Sequence, residues 1–294
     1  MTTDEMKVRA VGTLPVRAFR EEISVMLDLV WRAREIAFRY YTPDMHVDYK
    51  GVDDPVTQAD REIDHLIVSG LRAAFPEDGV LSEEAPDAPE KRLGKRRLWC
   101  VDPLDGTREY TERLPQWAIM IGLAVEGKAH VGVIYSPARD LTMVGVVGAG
   151  AWMWKDSWQP LHVSDVRHPE DAVIAVSRSH RSVYVDAIIQ TLGVSREIPH
   201  GSVGMKIALL ALQQADIYVH PGKGTKEWDL CAPEAVLVAA GGRMTDMYGR
   251  PFRYNKSDPT NPYGIVATNG HLHEVTLDAV RKVIGVNSVD RGRE

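Results

Sequence analysis

The chain contains little cysteine, no long apolar run and no excess of positive charge. Its two cysteines, Cys100 and Cys231, cannot build a disulfide framework, and both lie in apolar segments where a thiol is typical of a small core residue. No apolar run approaches the roughly 18 residues that a membrane-spanning helix needs. The formal net charge of −6 argues against a general nucleic-acid-binding surface.

Composition and patterning indicate a globular protein with two halves of different character. Residues 1–20 interleave charged and apolar side chains and lack the apolar core of a secretory signal peptide, which favours the cytoplasm. With 44% hydrophobic and 26% charged residues, a chain of 294 residues can fold as one large domain or two smaller ones. The weakly patterned segment 159–169 predicts a boundary, so we expect an α+β half at 1–165 and an α/β half at 166–294.

Local periodicity predicts most of the secondary structure. Apolar residues at spacings of three and four predict a helix over 20–41, and Thr57 with Asp60 has the form of a capping box that opens another. After residue 110, the pattern of short apolar runs and turn residues predicts an antiparallel meander, followed by alternating strands and helices. The predicted meander strands are 117–125, 129–135, 141–147 and 151–154.

The segment 99–107, Trp-Cys-Val-Asp-Pro-Leu-Asp-Gly-Thr, carries the clearest sign of chemistry. Pro103 is predicted to end a strand, and Thr107 to cap a helix that starts at the next residue. The carboxylates of Asp102 and Asp105 suit a hard cation such as Mg²⁺, and the start of a helix suits a phosphate. The alternative is an Asp-Pro turn followed by an Asp-Gly turn, both of which are common.

Acidic residues elsewhere follow apolar segments or open helices, where α/β folds present functional groups. Taken singly, Asp60 is explained as a first-turn acid that complements the helix dipole, and the pair at 83–84 as a solvated turn. Taken together, converging carboxylates would repel one another unless divalent metals balanced their charge. Two metals roughly 4 Å apart can activate a water and stabilise a leaving oxygen. The acids in question are Asp60, Glu83, Asp102, Asp105 and Asp229.

Four motifs resemble, in order and separation, those of the inositol monophosphatase superfamily over residues 20–285. Within the superfamily, Ser-Arg-Ser-His at 177–180 and the run 226–246 resemble the 3′(2′),5′-bisphosphate nucleotidases most. The four motifs are Asp-Pro-Val-Thr-Gln-Ala-Asp at 54–60, Leu-Ser-Glu-Glu at 81–84, Val-Asp-Pro-Leu-Asp-Gly-Thr at 101–107 and Trp-Asp at 228–229.

This resemblance implies an α/β fold, layered α/β/α/β/α, and hydrolysis of phosphomonoesters by a water activated by two or three Mg²⁺ ions. One implied metal site consists of Glu83, Asp102 and the carbonyl of Leu104, and the second of Asp102, Asp105 and Asp229. Thr107 and Asp60 match the catalytic pair that orients the water. Glu84 could take the place of Glu83, and Lys50 fits a loop lysine that influences a further, weaker metal.

The resemblance also implies how the substrate is bound. The N–H groups of Gly106 and Thr107 match a phosphate cradle, and further matched positions fall in the second half of the chain. These further substrate positions are Ser177, Arg178, His180, Lys206 and Glu227. The N-terminal half, 1–165, would then hold the metals and the catalytic groups, and 166–294 the substrate.

The function that we expect from the resemblance is hydrolysis of 3′-phosphoadenosine 5′-phosphate to AMP and phosphate. One alternative is an inositol or sugar monophosphatase with the same catalytic core. Another, of a different class, is a regulatory protein that binds a phosphonucleotide without turnover. The expected partner is a small phosphorylated substrate, without nucleic acid or membrane, and a homodimer is left open.

Overall fold

A computed structural model describes residues 9–51, 54–179 and 181–285. Within these ranges, no helix is long and apolar enough to cross a membrane. The helices and strands form five layers, in which two sheets alternate with three layers of helices.

The first layer consists of two helices, α1 (Arg20–Tyr40) and α2 (Gln58–Ala74), which pack on one face of the larger sheet. The bounds of α1 confirm the helix that its apolar periodicity predicts. At the start of α2, the Thr57 hydroxyl accepts a hydrogen bond from Ala59 N at 3.2 Å and Asp60 Oδ2 accepts one from Thr57 N at 2.8 Å. The predicted capping box is therefore confirmed. A short hairpin, β1 (Val47–Gly51) and β2 (Asp54–Thr57), connects the two helices.

The second layer is a seven-stranded sheet whose strands follow one another in chain order. Its first two strands are parallel and the others antiparallel, so the predicted meander is confirmed. The last strand, Ser157–Leu161, was not predicted, because it is short and contains a proline. The strands are β3 (Gly79–Ser82), β4 (Arg97–Asp105), β5 (Ala118–Val125), β6 (Lys128–Ser136), β7 (Leu141–Val146), β8 (Gly150–Lys155) and β9 (Ser157–Leu161).

Strand β4 differs from the prediction at its carboxyl end. It continues past Pro103 to Asp105, and its pairing with β5 shifts register between Asp102 and Asp105. Because Pro103 lies within this irregularity, its missing N–H group interrupts no regular ladder bond. The following helix, α4 (Thr107–Thr111), has Gly106 as its N-cap at φ 93°, so the prediction that Thr107 is the cap is wrong.

The fourth layer is a five-stranded sheet of the second half, with strand order β11-β10-β12-β16-β14. Strand β10 pairs in parallel with β11 and β12, whereas β16 is antiparallel to both of its neighbours. A second short ribbon pairs β13 (Thr225–Lys226) with β15 (Thr260–Asn261). The strands of the larger set are β10 (Val173–Ser177), β11 (Arg196–His200), β12 (Ile217–His220), β14 (Arg243–Thr245) and β16 (Ile265–Thr268).

The remaining helices fill the layers on either side of this second sheet. Two of them pack between the two sheets, and two cover the outer face. A four-residue helix, α3, precedes β4. The helices are α3 (Pro89–Arg92), α5 (Val183–Leu192) and α8 (His273–Ile284) on the outside of the sheets, and α6 (Val203–Ala211) and α7 (Glu227–Ala239) between them. The α/β/α/β/α fold is thereby confirmed, whereas the division at residue 165 stays a prediction.

Three paired glycines bring α7 unusually close to the larger sheet. Gly122, Gly132 and Gly145 are register partners on β5, β6 and β7. A Cβ atom on Gly132 would lie 2.2 Å from the carbonyl oxygen of Ala232, and one on Gly145 would lie 2.4 Å from Val236 Cα. Only glycine permits this approach. The close packing fixes the position of α7, whose first turn carries one of the predicted metal ligands.

Candidate active site

A cleft of about 560 Å³ lies where the carboxyl ends of β3, β4 and β10 meet the first turns of α4, α6 and α7. These elements come from both halves of the chain, and each brings polar groups to the same space. Among the predicted site residues, those that line the cleft are Glu83, Asp102, Leu104, Asp105, Gly106, Thr107, Ser177, Lys206 and Asp229.

The predicted catalytic pair, Asp60 and Thr107, is in direct contact. The Thr107 hydroxyl lies 3.1 Å from Asp60 Oδ1 and 3.0 Å from the carbonyl oxygen of Leu104. Asp60 is 1% exposed, and its Oδ2 accepts hydrogen bonds from the backbone N–H and the hydroxyl of Thr57. Burial raises the pKa of Asp60 to about 6, against the effect of the Thr57 hydrogen bonds. Asp60 therefore reaches the cleft through Thr107, as a carboxyl group able to exchange a proton near neutral pH.

The acidic pair after β3 surrounds a lysine. Lys50 Nζ lies 3.0 Å from Glu83 Oε1 and also contacts Glu84 Oε1. Burial raises the pKa of Glu83 to about 7, although the charge of Lys50 lowers it. Burial also opposes the charge of Lys50, but the two carboxylates outweigh this effect and raise its pKa. Of the two acids, Glu83 is the one that lines the described part of the cleft, which favours Glu83 as the metal ligand.

Of the remaining three acids, Asp102 and Asp105 are buried and Asp229 is half-buried, and all three accept hydrogen bonds from backbone N–H groups. Asp102 Oδ1 accepts one from Leu104 N at 3.1 Å, and Asp229 Oδ2 accepts one from Lys226 N at 2.6 Å. Burial, followed by the charge of Glu83, raises the pKa of both Asp102 and Asp229 well above the usual range. Burial also raises the pKa of Asp105. The charged forms of these three acids are therefore disfavoured in the protein alone, and a bound cation would favour them.

Asp105 makes further contacts with the first turn of α6. Its Oδ2 accepts hydrogen bonds from the Ser202 hydroxyl and, at 2.6 Å, from Gly204 N, and its Oδ1 accepts one from Val203 N at 3.1 Å. Ser202 was not among the predicted site residues. Its position, directly before an apolar helix, is the signal that could have identified it, since Ser202 Oγ caps α6 by accepting a hydrogen bond from Met205 N.

The donor chemistry of the cluster fits Mg²⁺, because every predicted ligand offers oxygen. In the described ranges, however, no three His, Cys, Asp or Glu side chains are gathered closely enough to hold a metal ion. Two contacts account for part of this spacing: Lys50 is paired with Glu83, and Asp105 is directed towards the N–H groups of α6. The residues therefore fit the ion by donor type and charge.

The predicted substrate residues separate into three groups. Ser177 and Lys206 line the cleft. Lys206 is 3% exposed, donates to Ser202 O at 2.6 Å, and has its pKa lowered to about 8 by burial. Arg178 and Glu227 do not line the described part of the cleft. His180 falls outside the described residues, so its predicted role stays a prediction.

Arg178 and Glu227 have protein partners instead. Arg178 Nη2 lies 3.0 Å from Glu109 Oε1 and 2.6 Å from Glu112 Oε2. Glu227 is fully buried, and its carboxylate accepts hydrogen bonds from the backbone N–H groups of Asn255 and Lys256. Both side chains are thus bonded within the protein, and their role in substrate binding stays a prediction.

A smaller, mainly apolar pocket of about 300 Å³ adjoins the cleft and shares Ser177, Tyr218 and His220 with it. Tyr184, from the first turn of α5, lies at this pocket and is 51% exposed. No local sequence pattern predicts the pocket, because its walls come from β10, β12 and α5, which meet only in the folded chain. Its other apolar lining residues are Val176, Val185, Val219 and Pro221.

Comparison of the sequence with known proteins identifies relatives over most of its length. A family model described as the inositol monophosphatase family matches residues 19–284. The chain is 35% identical over 213 residues to the 3′(2′),5′-bisphosphate nucleotidase CysQ of Escherichia coli (strain K12), a match that covers 72% of this chain and 85% of that protein. It is 32% identical over 253 residues to the 3′(2′),5′-bisphosphate nucleotidase 1 of Homo sapiens, covering 73% of this chain and 79% of that protein.

Solved structures of similar fold cover nearly the whole chain. The extragenic suppressor protein suhB from Bartonella henselae has a TM-score of 0.77 at 29% identity, covering 89% of this chain and 99% of that chain. CysQ from Bacteroides thetaiotaomicron, described as a bacterial member of the inositol monophosphatase family, has a TM-score of 0.73 at 30% identity, covering 86% of this chain and 98% of that chain.

Proposed function

The chain belongs to the inositol monophosphatase family and is a phosphatase, and we propose that it removes the 3′-phosphate from 3′-phosphoadenosine 5′-phosphate. Relatives named 3′(2′),5′-bisphosphate nucleotidase, at 35% and 32% identity, support this choice within the family. We further propose that the enzyme acts in the cytoplasm and depends on Mg²⁺.

The observation that carries the choice of a nucleotide is the apolar pocket beside the cleft. A nucleotide has a flat, largely apolar base attached to charged phosphates, whereas an inositol phosphate has hydroxyl groups around its ring. The acidic cleft suits the reacting phosphate with its metals, and the adjoining pocket at Tyr184 suits a base that stacks on an aromatic ring. The shared residues Ser177, Tyr218 and His220 would then lie beside the ribose.

Mg²⁺ would be held by the oxygens of Glu83, Asp102, Leu104, Asp105 and Asp229. When bound, it supplies an activated water and positive charge for the phosphoryl group during in-line displacement. The repulsion among the buried acids favours a bound divalent cation, since the cation relieves it. The positive charge of Lys50 already offsets part of this repulsion at Glu83.

The protein's own groups bind the phosphate and accept the proton. The N–H groups of Gly106 and Thr107 are proposed donors to the phosphate oxygens. Thr107 can accept a hydrogen bond from the attacking water while its own proton is directed at Asp60, which is 3.1 Å away. The raised pKa of Asp60, about 6, suits a group that takes up a proton near neutral pH. Lys206, at the wall of the cleft, contributes positive charge for the substrate.

One observation favours the alternative, an inositol or sugar monophosphatase. Arg178 is a cation among the implied substrate positions that could bind a second, non-reacting phosphate, but its guanidinium is paired with Glu109 and Glu112. A substrate with a single phosphate would not need Arg178. The nucleotide proposal therefore depends on the apolar pocket and not on Arg178.

Phosphate release from a small panel of substrates separates these functions. With Mg²⁺ present, we expect kcat/KM for 3′-phosphoadenosine 5′-phosphate to exceed that for inositol 1-phosphate at least ~10-fold, equivalent to ~1.4 kcal/mol. Tyr184→Ala should reduce only the nucleotide reaction. Val183→Ala, at an exposed neighbour outside the pocket, is the matched control. Preference for inositol 1-phosphate would refute the proposal, and absence of metal-dependent turnover would favour a binding protein.

A further inference from the structure

We propose that four residues form a brace that fixes the distance between the two sides of the acidic cleft, which carry Glu83 and Asp229. The brace residues are Arg92, Glu227, Asn255 and Lys256. Arg92 and Asn255 are then positioning residues for the phosphatase reaction, and the inference rests on the function proposed above. The brace connects α3, which follows Glu83, with the first turn of α7, which carries Asp229.

At the α7 end, the brace is a carboxylate that two backbone groups surround. Glu227 Oε2 accepts a hydrogen bond from Asn255 N at 2.6 Å, and Oε1 accepts one from Lys256 N at 3.0 Å. Glu227 is 0% exposed, so its charge is stabilised by these N–H groups and by Lys256 Nζ at 3.9 Å. Because Glu227 and Asp229 share one helical turn, the loop at 255–256 is joined directly to the turn that presents Asp229.

Further bonds attach this loop to the chain just before α7. Lys226 Nζ donates to Thr260 Oγ1 at 2.6 Å, and Glu227 N donates to Pro259 O at 3.0 Å. Strands β13 and β15 pair at the same place. The loop and the start of α7 therefore move as one body.

At the α3 end, a buried arginine connects the loop to the segment after Glu83. Arg92 is 1% exposed and forms a bidentate pair with Asp87, with both N–O distances 2.6 Å. Its Nη1 donates to Lys256 O at 2.7 Å and to Asn255 Oδ1 at 3.2 Å. Asn255 Nδ2 donates in return to Arg92 O at 3.0 Å. The basic segment 91–97 thus contains a buried structural residue, Arg92.

Arg92 is in turn packed against the strand that leads to Glu83. A Cβ atom on Gly79, the first residue of β3, would lie only 2.9 Å from Arg92 Cβ. The last residue of β3 is Ser82, and the next, Glu83, donates its N–H to Val101 O of β4 at 3.2 Å. A displacement of Arg92 is therefore transmitted to the base of the strand that positions Glu83.

The brace opposes a force that the cleft itself creates. Glu83 and Asp229 are both half-buried carboxylates of the acidic cluster, and like charges in such a site push their elements apart. None of the four brace residues is among those that line the cleft in the described ranges. Loss of the brace should therefore change metal binding and kcat, with little direct effect on substrate contacts.

Asn255→Gly tests the brace with the least disturbance of the backbone. Asn255 has φ 66°, a conformation that glycine adopts readily, and its N–H to Glu227 is retained in the variant. Only the side-chain bonds to Arg92 and to Lys95 O are lost. Arg97→Gln is the control, since Arg97 is a half-buried arginine paired with Glu22 and Asp78 at the first residue of β4, the end away from the cleft.

We expect Asn255→Gly to lower kcat at least ~10-fold, to change KM less than ~3-fold, and to weaken Mn²⁺ binding to the substrate-free protein ~10-fold, measured by electron paramagnetic resonance. Arg97→Gln should lower the melting temperature and leave kcat and the Mn²⁺ affinity unchanged. Wild-type kcat and Mn²⁺ affinity in Asn255→Gly would overturn the brace, as would equal losses in the control.

Two provisions keep the test decisive. If Asn255→Gly does not fold, Arg92→Lys replaces it, because lysine keeps one charge beside Asp87 but cannot bond to both Asp87 and Lys256. The values of kcat and KM are measured for the wild type and the variants with whichever phosphomonoester the wild type hydrolyses. A wild type that prefers inositol 1-phosphate refutes the nucleotide proposal alone, whereas the Mn²⁺ affinity of the variant decides the brace.

Discussion

Replacing Asp60 by asparagine should stabilise the metal-free protein and abolish its activity. The pKa of this carboxyl group is about 6 in the folded protein, against an ordinary value of 3.8. The folded state therefore binds the proton more tightly than the unfolded state, and the charged group costs stability. This cost is absent below pH 3.8, grows up to pH 6 and is constant above it. At ~1.4 kcal/mol for each pH unit between the two pKa values, the full cost is ~3 kcal/mol.

Asparagine can keep the hydrogen bonds of Asp60. Its amide oxygen can accept both bonds from Thr57, and its NH₂ group can donate to Thr107 Oγ1, which still donates to Leu104 O. The variant should then exceed the wild type in unfolding free energy by ~3 kcal/mol at pH 8 and by almost nothing at pH 4. Activity should fall at least ~100-fold, because the Thr107 hydroxyl no longer faces a proton acceptor at residue 60.

Urea unfolding in EDTA at several pH values, followed by phosphate release with Mg²⁺, measures both effects. Asp64→Asn is the matched control, because Asp64 is a buried acid one turn further along α2, with a raised pKa and a hydrogen bond from Ser82. It should gain stability in the same direction and keep its activity. Equal unfolding free energies of Asp60→Asn and wild type at pH 8, or normal turnover in the variant, would refute the reasoning.

Two further predictions concern the metals. Asp105→Asn should abolish phosphate release and lower the melting temperature, because an amide NH₂ would face donors of α6 such as Gly204 N; near-normal activity would contradict the metal assignment. LiCl should inhibit at concentrations at least ~10-fold below those of KCl at fixed Mg²⁺, since a small monovalent ion can occupy the second implied metal site, at Asp102, Asp105 and Asp229. Equal responses to the two salts would exclude this.

The elements that the sequence predicted are those whose signals are local. The apolar stripe of α1, the capping box at Thr57 and Asp60, and the turn-separated strands β5 to β8 each depend on residues near one another in the chain. For these, the tertiary structure agrees with the local preference. The five layers followed from the family resemblance, which carries information on topology that periodicity lacks.

The elements that were missed depend on long-range pairing. Strand β11 (Arg196–His200) reads Arg-Glu-Ile-Pro-His and has little strand character, yet it pairs in parallel with β10 along its whole length. The continuation of β4 through Pro103 likewise depends on a register shift against β5. In both cases the neighbouring strand, and not the segment's own composition, decides the structure.

The same distinction applies to the site. Asp102, Asp105 and Asp229 were identified because they follow apolar segments or open helices, and the structure brings them to one cleft. The partners of Arg178 and Glu227 could not be identified, because Glu109 and Asn255 are distant in sequence. A charged residue in a substrate-binding motif is therefore a weaker predictor of function than an acid at the end of a buried strand.

The acidic cleft is held together by packing and backbone bonds, because its own charges oppose it. Helix α7, which carries Asp229, lies against Gly122, Gly132 and Gly145 at distances that no other residue type permits. Asp105 is tied to α6 by backbone N–H groups, including that of Gly204. This rigid support holds the acids in one cleft although their negative charges repel one another. It follows that a divalent cation entering the cleft would relieve the repulsion among acids whose backbone the fold already positions. Binding it then requires side-chain movements at Glu83, now paired with Lys50, and at Asp105, now bonded to α6.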